Sequence, residues 1–217
     1  MTGAVADREA FAAVLLRLRA AGVNDATLFS AIEATPRRGF VPVQWQDGMW
    51  LDRMLPIACG EAIEGIDMQA KVIAALALQP GHRVLEIGTG TGFTTALLAR
   101  LSGRVLSLDR YRTLCTEAEQ RLAALGIANA IIRQADGSAG AAADGPFDRI
   151  VAWAAFDGLP RSFVEQLASG GVMIAPVGPA EGVQTLAKLT KLGSRFERED
   201  IGEVRLQPLA RGVAATL

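Results

Sequence analysis

Histidine, cysteine and tyrosine are scarce in this chain. Of 217 residues, one is histidine, two are cysteine and one is tyrosine. The single histidine, His82, sits in Pro80-Gly81-His82-Arg83, which reads as a turn leading into a strand. A Ser-His-Asp or Cys-His engine would have to use that imidazole, and nothing around it favours such a role. Cys59 and Cys115 have no metal-ligand spacing and make no disulfide framework. No metal site is therefore expected, and the thiols are expected to be free in a reducing compartment. Excess charge is also missing: 22 basic and 23 acidic residues leave a net charge of −1. Without a basic field, a nucleic-acid partner is disfavoured. No run approaches the length of a membrane span, and the N-terminus lacks the apolar core of a signal peptide. These absences together predict a cytoplasmic protein without a membrane partner.

What is present is informative. Half of the residues are hydrophobic and 21% are charged, the balance of a globular chain. The length suffices for one α/β domain with a sizeable core. Residues 84–93 read VLEIGTGTGF. A strand-like apolar run ends at Gly88, Gly90 and Gly92, and a helical pattern follows over 94–101. Glycine permits a sharp turn and a close approach by a ligand. The helix start offers free N–H groups and a positive dipole end. A phosphate-gripping loop would need Gly-Lys-Ser/Thr where Gly92-Phe93-Thr94 stands. A dinucleotide loop would need a third small residue where Phe93 stands. The spacing Glu86-x-Gly88-x-Gly90-x-Gly92 resembles instead the first motif of class I S-adenosylmethionine-dependent methyltransferases. That resemblance implies that the glycines, with Thr89 between them, pass beneath the amino-acid and ribose portions of the cofactor.

Two more acids agree with it. Asp109 caps the strand-like stretch 104–108, about 20 residues beyond the glycine loop, where a carboxylate can accept hydrogen bonds from ribose hydroxyls. Asp136-Gly137 follows the strand-like stretch 130–133, and the methyltransferase resemblance implies that an acid there reaches the adenine amino group. The expected cofactor set is Glu86, Gly88, Thr89, Gly90, Gly92, Asp109, Asp136 and Gly137. Its ligand would be S-adenosylmethionine or the product S-adenosylhomocysteine.

The rest of the chain suits that loop. Residues 9–21 carry apolar side chains at helical spacing and stop at Gly22. Asn24-Asp25 can cap a second helix over 26–34, which Pro36 closes. Residues 37–65 hold Trp45 and Trp50 and have few periodic runs, the pattern of a binding loop or lid. A helix is expected over 68–78. Strands at 83–87, 105–108, 130–133, 147–152 and 172–176 then alternate with helices at 94–101, 113–125 and 161–168. This alternation predicts an α/β, Rossmann-like fold with a mostly parallel central sheet and helices on both faces. Runs at 184–191 and 204–209, separated by a polar stretch, read as late edge strands. One domain over 1–217 is expected, with N-terminal helices and a substrate-side loop in 1–79 and the cofactor-binding core in 80–217.

Several segments sharpen the resemblance. These are Thr35-Pro36-Arg37-Arg38-Gly39-Phe40-Val41-Pro42, Leu55-Pro56-Ile57 before Gly60, the loop from Leu85 to Gly92, Asp136-Gly137, Pro146-Phe147-Asp148, Gly170-Gly171 with Pro176-Val177-Gly178, and Pro208-Leu209. Together they are similar, in order, to the protein-L-isoaspartate O-methyltransferase family. The resemblance implies a monomeric, cytosolic repair enzyme that methylates the displaced carboxylate of isoaspartyl residues in a protein or peptide. The same scaffold acting on a small molecule, or binding the cofactor without catalysis, remains open.

One departure stands out. Where the family carries Gln-Thr-Ile-Ser, this chain reads Glu61-Ala62-Ile63-Glu64. The family's serine hydroxyl lies beside the substrate carboxylate, so Glu64 is the candidate catalytic residue by position. An ionised Glu64 would repel an acceptor carboxylate, by about 4 kcal/mol for unit charges about 4 Å apart at an effective dielectric of about 20. Three readings follow. Glu64 is protonated by burial, or it is a general base for a different acceptor, or it points to solvent. Trp153 and Gln207 also depart from the family pattern, and Trp153 falls at a strand end where α/β sheets bind ligands. Trp45 and Trp50 read as a substrate wall or as anchors to the core. Arg37-Arg38 reads as a solvated turn, with contact to an anionic substrate as the alternative.

Overall fold

The strands inside the sheet are apolar on both sides, so each must be covered twice. In β3 (Arg83–Ile87), Val84 belongs to one core cluster, while Leu85 and Ile87 belong to the other. The computed structural model describes residues 2–214, and side chains from residue 7 onward. Five parallel strands form the centre: β3, β4 (Arg104–Asp109), β5 (Ala130–Gln134), β6 (Phe147–Ala152) and β7 (Leu167–Val177). Two antiparallel strands, β8 (Gln184–Leu192) and β9 (Arg195–Val204), extend one edge. The order is β5-β4-β3-β6-β7-β8-β9. The chain therefore leaves β3 in one direction and returns to its other side at β6. That switch point, at the carboxyl ends of the strands, is where open α/β sheets bind ligands.

Five α-helices supply one cover: α1 (Thr2–Ala20), α2 (Ala26–Glu33), α3 (Ile66–Ala75), α4 (Phe93–Leu101) and α5 (Arg112–Ala124). Their buried side chains, among them Val14, Ile32, Ile73, Leu97 and Ala118, join Val84, Val105 and Ile174 of the sheet in one cluster. The Asp25 carboxylate caps α2 by accepting from the Thr27 and Leu28 amides. The second face is covered by 3₁₀ turns at Gly137–Ala139, Ala142–Asp144 and Arg161–Gln166, and by Phe156 packed edge-on against Phe163. Helical turns thus cover both faces, but α-helices cover one. The helix expected over 161–168 is a 3₁₀ turn, because Leu167 already pairs with Phe147 as β7 begins.

A second correction concerns the edge. The polar stretch read as a spacer is the strand β9, paired along β8 from Arg195 to Val204. The run at 204–209 makes only an isolated bridge, Pro208 with Ala155. β9 is mostly exposed, so the charges of Arg195, Glu197, Arg198, Glu199 and Asp200 face water and discourage further strand pairing. Among the described residues, no helix is long and apolar enough to cross a membrane.

Gly92 precedes α4 in the left-handed region, at φ 87°. A Cβ there would lie 2.9 Å from the Cβ of Ala118 on α5. Two demands coincide: a conformation that side chains disfavour and a close helix contact. Gly92→Ala should therefore lose about 2–4 kcal/mol of stability. Denaturant unfolding measures this directly, and a loss well under about 1 kcal/mol would contradict the packing argument.

Candidate active site

A cleft opens at the switch point. Its floor is the loop after β3. Gly88 and Thr89 both donate backbone N–H bonds to the Leu108 carbonyl at the end of β4, which draws the loop across the sheet. Gly90 donates its N–H to Asp109 Oδ2 at 2.9 Å, and Tyr111 donates to Oδ1 at 3.0 Å. The second acid is thereby oriented before any ligand arrives. Burial raises the Asp109 carboxyl above its ordinary range, while the amides of Tyr111 and Gly90 oppose the rise. The Thr89 hydroxyl shares a 2.6 Å hydrogen bond with Ser107. Gly88, Thr89, Gly90, Asp109 and Gly137 all line the cleft.

Three expected residues do not. Glu86 is fully buried beneath the loop. Its Oε1 accepts from Thr94 Oγ1 at 2.6 Å and from Trp153 Nε1 at 2.9 Å, and its Oε2 accepts from Thr95 Oγ1 and from Ser107 Oγ at 2.7 Å. Burial lifts its pKa and the four donors pull it back. Gly92 packs against α5 instead of facing the cleft. Asp136 sits behind Gly137, where its carboxylate accepts from the amides of Ser138 and Gly212 at 2.8 and 2.7 Å. Those donors, with Ser138 first, hold its pKa below the usual carboxylate value.

One side of the cleft is walled by the short hairpin of β1 (Leu55–Pro56) and β2 (Ala62–Ile63). The segment expected to be an irregular lid is organised by its own cluster of Val41, Met49, Leu55 and Ile63. Trp45 and Trp50 belong to that packing and do not line the cleft, and Trp50 also packs at a tilt against Phe11, with ring centroids 5.6 Å apart. They are anchors. Trp153 does reach the cleft wall. From the C-terminal segment, Gln207 Oε1 accepts from the Ala62 amide at 3.3 Å, closing the hairpin against the sheet.

Glu64 does not point to solvent. It is 4% exposed, lines the cleft, and accepts from Gln69 Nε2 at 3.2 Å. Burial pushes its carboxyl up to about 7. Beside it lies a residue read from the sequence as a solvated turn. Arg37 is fully buried and donates to the Met49 carbonyl, to Gln69 Oε1 and to the Glu64 carbonyl, with its guanidinium 4.5 Å over the Phe93 ring. Burial lowers its pKa to about 10. A signal was available: on a helical turn Arg37 lies three residues from Phe40, on the same inward face. Arg38 does face outward, and pairs with Asp7 at 2.7 Å.

This arrangement is the class I methyltransferase fold, with its ligand cleft at the β3/β6 switch point. The chain belongs to the Protein-L-isoaspartate(D-aspartate) O-methyltransferase (PCMT) family, whose model matches residues 9–214. It is 44% identical over 202 residues to a protein-L-isoaspartate O-methyltransferase of Rhizobium meliloti, covering 93% of this chain and 99% of that one. It is 42% identical over 217 residues to the corresponding protein of Azorhizobium caulinodans, covering all of both chains. The same fold is seen in a Plasmodium falciparum protein of that description, crystallised with S-adenosyl-L-homocysteine. There the TM-score is 0.79 at 22% identity, over 91% of this chain and 97% of that one.

The raised Glu64 pKa carries a stability consequence. The folded protein holds a proton on Glu64 up to about 7, whereas an unfolded glutamate releases it near 4.5. Its stabilising share is complete below 4.5 and is lost as pH rises through about 7. Glu64→Gln removes that dependence. Its stability relative to the wild type should improve by about 2–3 kcal/mol between about pH 5 and about pH 8. An unchanged difference in denaturant unfolding at the two pH values would contradict this.

Proposed function

We propose that this chain is an S-adenosylmethionine-dependent methyltransferase that esterifies the displaced carboxylate of isoaspartyl residues in proteins and peptides. One observation carries the cofactor reading. The backbone of Gly88, Thr89 and Gly90 and the Asp109 carboxylate, oriented by the Gly90 and Tyr111 amides, line one cleft at the switch point of the sheet. An acid preset beside a glycine loop fits a ligand that offers hydroxyl donors. Family membership supports the choice of ligand and acceptor.

The residues fit that cofactor. Gly88, Thr89 and Gly90 would run beneath its amino-acid portion. Asp109 would take the ribose hydroxyls, since a carboxylate that already accepts two amides keeps spare lone pairs. Gly137 would border the adenine, and Asp136, behind it and outside the cleft lining, would hold that turn through the Ser138 and Gly212 amides. Glu86 and Gly92 would act by holding the loop rather than by touching the ligand. When bound, the cofactor supplies an electrophilic methyl group. An acceptor carboxylate is already a nucleophile at neutral pH, so the protein's task is alignment and desolvation. The β1–β2 hairpin and the segment from Gln207 to Ala210 would wall the acceptor side against water.

The same reading treats 1–217 as one domain, with 1–79 serving the acceptor side and 80–217 the cofactor; residue 1 and residues 215–217 lie outside the described residues. A continuous cluster from Val14 on α1 to Leu186 on β8 supports this. It also takes the enzyme to be monomeric and cytoplasmic, with no nucleic-acid partner, in keeping with its near-zero net charge.

Two measurements test the proposal. Calorimetry should detect S-adenosylhomocysteine binding, with Asp109→Ala weakening it by about 1.5–3 kcal/mol. Absence of binding to the wild type would overturn the cofactor reading. Methyl transfer to an isoaspartyl peptide, and not to its aspartyl counterpart, tests the acceptor. Equal transfer to both would overturn the substrate reading.

A further inference from the structure

Glu64 forms the corner of the cleft nearest the β2 wall and has no counter-ion in hydrogen-bond contact among the described residues. The cation closest to hand is Arg37, but its Nε, Nη1 and Nη2 donate to Met49 O, Gln69 Oε1 and the Glu64 backbone carbonyl. Glu86, on β3, adds a second buried carboxylate that opposes the ionisation of Glu64. On α3, Asp67 is held by Arg17 at 2.6 Å. The neighbours Ala62 and Ile63 carry no donor side chain, and Trp153 donates its indole N–H to Glu86. Another carboxylate brought into this dry corner would face an anion unless one of the two carries a proton.

We infer that Glu64 enters the reaction as the neutral acid and donates its O–H hydrogen bond to the acceptor carboxylate, an inference that rests on the isoaspartyl reading above. The acceptor is thus held and oriented by a donor, where an ionised Glu64 would repel it. Gln69 fixes the acid's other oxygen, and Arg37 holds Gln69 from behind. In the transfer, the free acceptor oxygen forms the new bond to the methyl carbon as the carbon–sulfur bond breaks, and that electron pair stays on sulfur. No proton moves, and Glu64 keeps its own throughout. A group whose proton is lost at about 7 makes this grip depend on pH in the physiological range.

Methylation of a synthetic isoaspartyl peptide between about pH 6 and about pH 9 tests the role. Wild-type kcat/KM should fall about tenfold per pH unit above the Glu64 titration. Glu64→Gln, which donates at every pH, should give a flat profile in this range, and Glu64→Ser should do the same should the glutamine variant fold poorly. A second readout does not depend on turnover. Calorimetric binding of the peptide to the S-adenosylhomocysteine complex at about pH 8, in buffers of different ionisation heat, should register uptake of up to about one proton by the wild type and none by Glu64→Gln. Absence of peptide methylation by the wild type at every pH would overturn the substrate reading and this inference with it. Methylation whose pH profile and proton uptake are shared by wild type and variants would overturn the role of Glu64 alone.

Discussion

The site depends on one buried carboxylate. Glu86 receives hydrogen bonds from Thr94 and Thr95 on α4, from Ser107 on β4, and from the Trp153 indole just beyond β6. With Glu86 itself, these groups join β3, β4 and the end of β6 to α4. All four donors are neutral, so no ion pair offsets the charge, and burial raises the carboxyl pKa. A buried acid is costly unless its lone pairs are used, and here they are. The glycine loop is thereby fixed between β3 and α4, and the backbone of Gly90 is aimed at Asp109. The acid of the glycine motif lies buried beneath the loop and does not line the cleft.

A second buried network lies directly beside the first. Arg37, Glu64 and Gln69 bring together the entry turn after α2, the hairpin edge and α3. The Arg37 guanidinium spends its donors on two backbone carbonyls and one amide oxygen, and lies over the Phe93 ring. It ties the acceptor wall to α4 at the point where the glycine loop becomes a helix. The two networks meet at Glu64 and the buried Glu86, whose charge raises the Glu64 pKa further. A change on the acceptor wall is therefore felt electrostatically beneath the cofactor loop.

The C-terminal segment completes the cleft without forming a strand of the sheet. The Ala155 amide donates to the Gln207 carbonyl, the Leu209 amide donates to the Ala155 carbonyl, and Gly212 reaches Asp136. The cleft is thus bounded by residues more than a hundred positions apart, such as Ala62 and Gln207. Such walls are assembled late in any account that starts from local pattern, because each piece is short and irregular.

Local pattern did determine a good deal. The strands at 83–87, 104–109, 130–134 and 147–152 are apolar runs bounded by turn residues, and they emerge where periodicity places them. The glycine spacing after Glu86 and the acid at Asp109 likewise follow from short-range chemistry, since a loop that must turn sharply and admit a ligand needs glycine. What sequence could not separate was contact from support. Glu86 and Gly92 carry the same motif letters as Gly88 and Gly90, yet one is roofed by hydroxyls and the other is pressed against Ala118. Arg37 looked solvated because charge normally is, and only the convergence of three distant acceptors makes its burial tolerable. The late edge was misread because β9 has only Phe196, Ile201 and Val204 as apolar contacts among its charges, and its pairing is set by β8 rather than by a clear period of its own. Whether Glu64 faces water or the cleft was likewise decided by tertiary structure alone, because burial is a property of the neighbours a residue acquires.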